Sequence, residues 1–206
     1  TTWGTAPEAG IDLEPNNADE KLENCVIRDC RFEHNRGPGS LLYLASLKAT
    51  SDPISITFEN CTVTSDRGGG IYIGSIRNDG PAGYVRFKRC TVEDVEGYGL
   101  TIRGKSADRA EVRFDRCIFR RVARRGDSEK PIAISARNET ETKRPGGIVF
   151  SGCTVEDDRD RPFLTSSDNG AGLGLHDVKG TFVVTNPFGA RFDIGPSAET
   201  VEIVVK

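Results

Sequence analysis

Phe58-Glu59-Asn60-Cys61-Thr62-Val63 recurs as Phe87-Lys88-Arg89-Cys90-Thr91-Val92 and again as Phe114-Asp115-Arg116-Cys117-Ile118-Phe119. Outward from these copies, Ile27-Arg28-Asp29-Cys30-Arg31-Phe32 precedes them and Phe150-Ser151-Gly152-Cys153-Thr154-Val155 follows. Asp177-Val178-Lys179-Gly180-Thr181-Phe182 reads as a degenerate last copy, with glycine in the cysteine place. Successive positions of this residue lie 27 to 36 residues apart. A period near 30 with variable insertions marks a solenoid, whose units bury their apolar faces only by stacking on one another.

Each unit carries three short strand patterns. One precedes the cysteine, as in Ile56-Thr57-Phe58 and Val85-Arg86-Phe87, with the apolar/polar alternation of a half-buried strand. The second is cysteine-x-apolar. The third follows a Gly- or Pro-marked turn, as in Gly70-Ile71-Tyr72-Ile73, Gly99-Leu100-Thr101-Ile102 and Pro131-Ile132-Ala133-Ile134. No stretch sustains a helical period. Three strands per turn predict an all-β chain, a right-handed parallel β-helix of about six to seven rungs, forming one domain over 1–206 with a closing segment at 188–206. The chain contains no methionine. That reads as a processed chain, and the lack of an amphipathic capping segment before Gly10 leads to the expectation of further rungs upstream or another chain covering the N-terminal end.

The repeat resembles the right-handed parallel β-helix superfamily that includes pectate lyases, related glycoside hydrolases and phage tailspikes. The resemblance runs from Gly10 to about Phe192. Gly10-Ile11-Asp12-Leu13-Glu14-Pro15-Asn16 is similar to a phrase of carbohydrate-acting β-helix proteins. The resemblance implies a polysaccharide or oligosaccharide partner and a secreted, periplasmic or cell-surface location.

Composition narrows the partners. Of 206 residues, 28 are Lys or Arg and 31 are Asp or Glu, a net charge of −3. Such a balance does not point to nucleic acid. No run approaches 18 apolar residues, so no membrane-spanning helix is expected. Cys30, Cys61, Cys90, Cys117 and Cys153 stack as small buried hydrophobes, with Cys25 also facing inward. A linear stack cannot supply a tetrahedral metal site. Arg120 falls between Glu93 and Glu156, and Arg121 between Asp94 and Asp157, so this basic cluster reads as ion pairs between rungs.

The outward positions of the third strand are where chemistry is expected. One column reads Asp12, Tyr43, Tyr72, Thr101, Ala133, Leu164; the next reads Glu14, Ala45, Gly74, Arg103, Ser135, Ser166. Stacked Tyr43 and Tyr72 make a platform for a sugar ring. Asp12 and Glu14, two residues apart on one face, form the carboxylate pair that glycoside hydrolysis requires. They also lead into an acidic turn that suits water or a Ca²⁺ ion; no other cofactor is expected. β-Elimination from a uronate would instead draw on Arg103 and Lys105 for charge, with Tyr43 or Tyr72 as base. His34, in the turn before the Tyr43 strand, is a candidate base, and His176 lies in the degenerate copy. A non-catalytic sugar-binding, adhesive or structural segment remains the alternative. Asn60-Cys61-Thr62 and Asn138-Glu139-Thr140 match the glycosylation sequon, and the polar insertion from Arg137 to Gly146 is expected to wall one side of the groove.

Overall fold

The computed structural model describes residues 8–64, 66–126, 128–136, 141–167, 173–195 and 199–206. The second sequon and the first part of the 137–146 insertion lie outside them. The described regular structure is all strand, with no helix long and apolar enough to cross a membrane. The strands stack as a parallel β-solenoid of about six turns.

The third strands of the rungs form one seven-stranded parallel sheet: Ile11–Leu13, Pro38–Tyr43, Gly69–Gly74, Leu100–Arg103, Ile132–Ser135, Leu164–Ser167 and Phe192–Asp193. The first strands run from Cys25–Arg28 through Ile54–Glu59, Gly83–Lys88 and Glu111–Asp115. The second strands run from Arg31–Glu33 through Thr62–Thr64, Thr91–Glu93 and Ile118–Arg120. These two sets are joined because Gly146–Glu156 and His176–Thr185 pass through the corner as long strands. Glu199–Val205 then pairs in parallel with His176–Thr185 as the last first-strand element.

The inward columns follow the repeat. Ile27, Phe58, Phe87, Phe114 and Phe150 are in register. Their phenyl centroids lie 4.7, 5.1 and 5.2 Å apart, with the rings nearly parallel, from Phe58 to Phe150. This is the strand spacing of a sheet, about 4.8 Å, so backbone hydrogen bonding and ring stacking are satisfied by one geometry. All six cysteines are free thiols, and Cys61, Cys90, Cys117 and Cys153 are buried. Burial pushes the Cys61 thiol up to about 11, consistent with a packing role rather than a reactive one. In the first rung the inward side chains Ile11, Leu13, Cys25, Ile27, Cys30 and Phe32 are half-buried.

Four expected alignments shift. The degenerate copy puts Gly180 beside Phe150 and Phe182 beside Cys153, after a bulge between Phe150 and Cys153. The swap conserves volume: a Cβ on Gly180 would fall 2.6 Å from the Phe182 ring. In the third-strand sheet, Ser40, Leu41 and Leu42 pair with Ile71, Tyr72 and Ile73, which moves Tyr43 two places from its expected column. Glycine sets this register. Gly39 and Gly70 lie where a Cβ would strike Val63 Cγ1 at 2.1 Å and Val92 Cγ1 at 2.3 Å. Leu164 pairs with Ile132 and is buried, so Thr165, not Leu164, lies beside Ala133. Ser166 accordingly falls beside Ile134, and its hydroxyl donates to the Ile194 carbonyl. Finally, Arg120 and Arg121 pair with Glu93 and Asp94 at 2.6 Å as expected, but Asp157 turns inward to Arg161 at 2.8 Å.

Phe87 stacks on both Phe58 and Phe114 and is fully buried. Phe87→Ala should therefore cost about 3–5 kcal/mol in denaturant unfolding, the range for emptying a large aromatic site. A loss under about 1 kcal/mol would show that the ladder is not a cohesive core.

Candidate functional site

The corrected register brings the candidate residues together differently. Asp12, Leu41, Tyr72, Thr101, Ala133 and Thr165 form one outward column of the third-strand sheet. Tyr43, Gly74, Arg103, Ser135 and Ser167 form the next. Glu14 follows Leu13, which pairs with Leu42, and so stands at the head of the Tyr43 column. The two tyrosines are thus diagonal neighbours rather than members of one ladder. They still meet. A Cβ on Gly74 would lie 2.6 Å from Tyr72 Cε1, 3.0 Å from Tyr72 Oη and 3.1 Å from Tyr43 Cδ2. Both rings therefore lie over the bare backbone of Gly74, and any side chain there would drive them apart.

Arg103 is one rung beyond Gly74 in the same column and is exposed. Its guanidinium has no hydrogen bond or ion pair among the described residues. Asp12 and Glu14 are both exposed at the other end of the face. Partial loss of hydration, and then the neighbouring Glu14, raise the Asp12 carboxyl above its usual range. Asp12 stands two rungs from Tyr72, about 10 Å at the spacing of parallel strands. Glu20 is engaged inside the following turn, accepting from Asn16 N–H and Asn17 Nδ2 at 3.0 Å each. Among the described residues, no group of three or more His, Cys, Asp or Glu side chains gathers as a metal ligand set.

His34 and Lys105 lie elsewhere. His34 is exposed at a turn, with φ of 61°, beside Glu33 and Asp66. That turn enters Pro38–Tyr43, whereas Tyr43 is at the strand's far end, about 17 Å away for six extended residues. Lys105 points inward. Gly104, with φ of 69°, breaks the alternation that would have placed Arg103 and Lys105 on one face. The Lys105 amine is buried and donates to the carbonyls of Ser106 and Gly146, the latter at 3.0 Å. The described end of the insertion covers it. Glu141 pairs with Arg77 at 3.3 Å, Arg144 with Asp108 at 2.9 Å, and Pro145 bridges to Ser106. This loop therefore folds back across the corner that follows the third strands. A Gly104-type corner was the sequence signal for the inversion.

Compared with protein-family models, curated proteins and solved structures, the chain matches none.

Burial lowers the Lys105 amine to about 7 from 10.5, against the opposing pull of Asp177, Asp108 and Glu111. Between those values the unfolded chain holds more protons than the folded one, so stability rises with pH. Relative to Lys105→Met, the wild-type protein should gain about 2 kcal/mol of unfolding free energy from pH 7 to pH 9. A pH-independent difference in paired denaturant titrations would show that the amine stays charged when folded.

Proposed function

We propose that this protein binds an extracellular, uronate-bearing polysaccharide along its third-strand sheet, with the pyranose ring over Gly74. The observation that carries the reading is the convergence of Tyr43 and Tyr72 on Gly74, next to the cation Arg103, which has no ion pair among the described residues. Tyrosine faces pack on the C–H face of a sugar, and a guanidinium matches a carboxylate with two parallel hydrogen bonds. The resemblance to carbohydrate-acting parallel β-helix proteins supports the same reading, though fold alone assigns no activity. A polymer of this kind is met outside the cell, in the periplasm or at the cell surface.

Uronate β-elimination suits this subsite. Arg103 neutralises the C6 carboxylate, which makes the C5 proton removable. A tyrosine hydroxyl, as phenolate, takes that proton; the C4–O bond breaks, and the departing oxygen is protonated by the phenol or by water. The product is a 4,5-unsaturated uronate and a new reducing end. Hydrolysis is the second reading, favoured by Asp12. An acid whose proton is held more tightly than usual, beside a second carboxylate, is the arrangement that protonates a glycosidic oxygen while its neighbour attacks or activates water. Without either chemistry the same face remains a binding surface.

Polygalacturonate and a neutral glucan separate these cases by calorimetry. Arg103→Gln should weaken polygalacturonate binding about tenfold and leave the neutral glucan unchanged, whereas Tyr72→Ala should weaken both about tenfold. Growth of unsaturated-uronate absorbance marks elimination. Reducing ends alone, lost in Asp12→Asn or Glu14→Gln, mark hydrolysis. Unchanged affinities in both the Arg103 and Tyr72 variants would remove the groove from consideration.

A further inference from the structure

A second surface, on the corner between the first and second strands, has the makings of an anion site. Its column is Asp29, Asn60, Arg89, Arg116 and Gly152, all at positive φ between 51° and 59°. Polar side chains bridge the early rungs. Asn60 Nδ2 donates to Asp29 at 3.1 Å, and Arg89 Nε donates to Asn60 Oδ1 at 2.8 Å. The chain of bonds then stops. Arg116 has no side-chain hydrogen bond or ion pair among the described residues, and the next rung offers Gly152. A Cβ on Gly152 would meet only Arg116 Cγ, at 3.8 Å, so the corner above Arg116 is open.

The opening forms a groove of about 420 Å³ that also reaches Lys88 and Ser151. That size falls within the range of small-molecule sites, roughly 300–1,000 Å³. Two carboxylates line it, and both are already matched. Glu59 accepts from Arg28 at 3.0 Å and Arg89 at 2.7 Å, and Asp115 from Arg113 at 3.0 Å. Lys88 stands between them in the strand register, also without a hydrogen bond or ion pair among the described residues. Lys88 and Arg116 are therefore two cations in one groove with no ion pair among the described residues, beside carboxylates that other arginines already engage. A planar fork, a point charge and the Ser151 hydroxyl together suit the several oxygens of a tetrahedral oxyanion.

We propose that this corner groove binds a sulfate or phosphate monoester carried by a saccharide, with Arg116 and Lys88 on the ester oxygens. The oxyanion half stands on the groove itself; the saccharide half rests on the reading of the third-strand sheet above. Both sources share the ester chemistry, and the probes separate them.

Glucose 6-sulfate, glucose 6-phosphate, inorganic sulfate and glucose would each be titrated by calorimetry into the full chain at low salt. One of the two esters should bind at least tenfold more tightly than inorganic sulfate and glucose, and the preferred ester names the source. Arg116→Gln should weaken that binding about tenfold. So should Gly152→Asn, which fills the opening with the residue that Asn60 already places at this corner with φ of 53°. Arg116 is exposed, so its variant should keep the wild-type melting temperature, which makes it the control should Gly152→Asn fold poorly. Arg103→Gln should leave ester binding unchanged. The proposal falls if neither ester binds, if inorganic sulfate binds as tightly as the esters, or if the Arg116 variant binds as well as wild type. Ester binding by a chain that does not bind polygalacturonate sinks the sheet reading and leaves the corner standing, whereas polygalacturonate binding without ester binding sinks the corner alone.

Discussion

One constraint places the repeating side chains of the described strands: successive parallel rungs lie directly over one another. The Phe58, Phe87, Phe114 and Phe150 rings repeat at the spacing the backbone hydrogen bonds impose. A side chain can therefore be understood only through the residues one rung to either side. Inward, that favours identity, since like rings stack and like thiols fill. Outward, it favours alternation. Arg28 meets Glu59, and Glu93 and Asp94 meet Arg120 and Arg121. Each exposed pair contributes a few tenths of a kcal/mol, so their worth lies in removing like-charge repulsion along a column.

The inward columns could be read from the amino acids because their chemistry repeats at fixed offsets from the cysteine. Cys25 opposite Ile56 and Arg120 between Glu93 and Glu156 followed from the same offsets. The third strand was harder. Leu42-Tyr43-Leu44 imitates Ile71-Tyr72-Ile73, yet the sheet pairs Ser40-Leu41-Leu42 with that segment. The decisive mark was Gly39, which holds the place of Gly70 beneath a valine of the second strand. An apolar alternation repeats every two residues and so fits several registers; a glycine demanded by a close approach fits one. Lys105 was illegible for a related reason. Residues two apart share a face only while the strand runs on, and Gly104 ends it.

The members of the candidate site were visible in the sequence, but their arrangement was not. Tyr43 and Tyr72 appeared as a vertical stack; they are a diagonal pair, drawn together because Gly74 offers nothing between them. Arg103 gains meaning only from that correction, since it puts the cation on the rung next to the place where the rings converge. His34 lost its place in the group once the direction of Pro38–Tyr43 was fixed, because turn and tyrosine sit at opposite ends of that strand.

Glycines within outward columns mark where this solenoid departs from self-satisfaction, and the two cases differ instructively. Gly74 lies on a flat strand face, where a flexible neighbour can lean along the strand; the Tyr72 ring does so and covers the gap. Gly152 lies at a tight corner, where an added Cβ would meet only the Arg116 stem, and Arg116 forms no side-chain hydrogen bond or ion pair among the described residues. The same missing Cβ therefore produces an aromatic floor in one place and a bare guanidinium in the other. Strand geometry, rather than residue identity alone, decides whether a vacancy in a stacked column becomes an apolar platform or an uncompensated charge. A ring can move to fill its vacancy, but a cation beside an open corner gains a partner only if one arrives from solution.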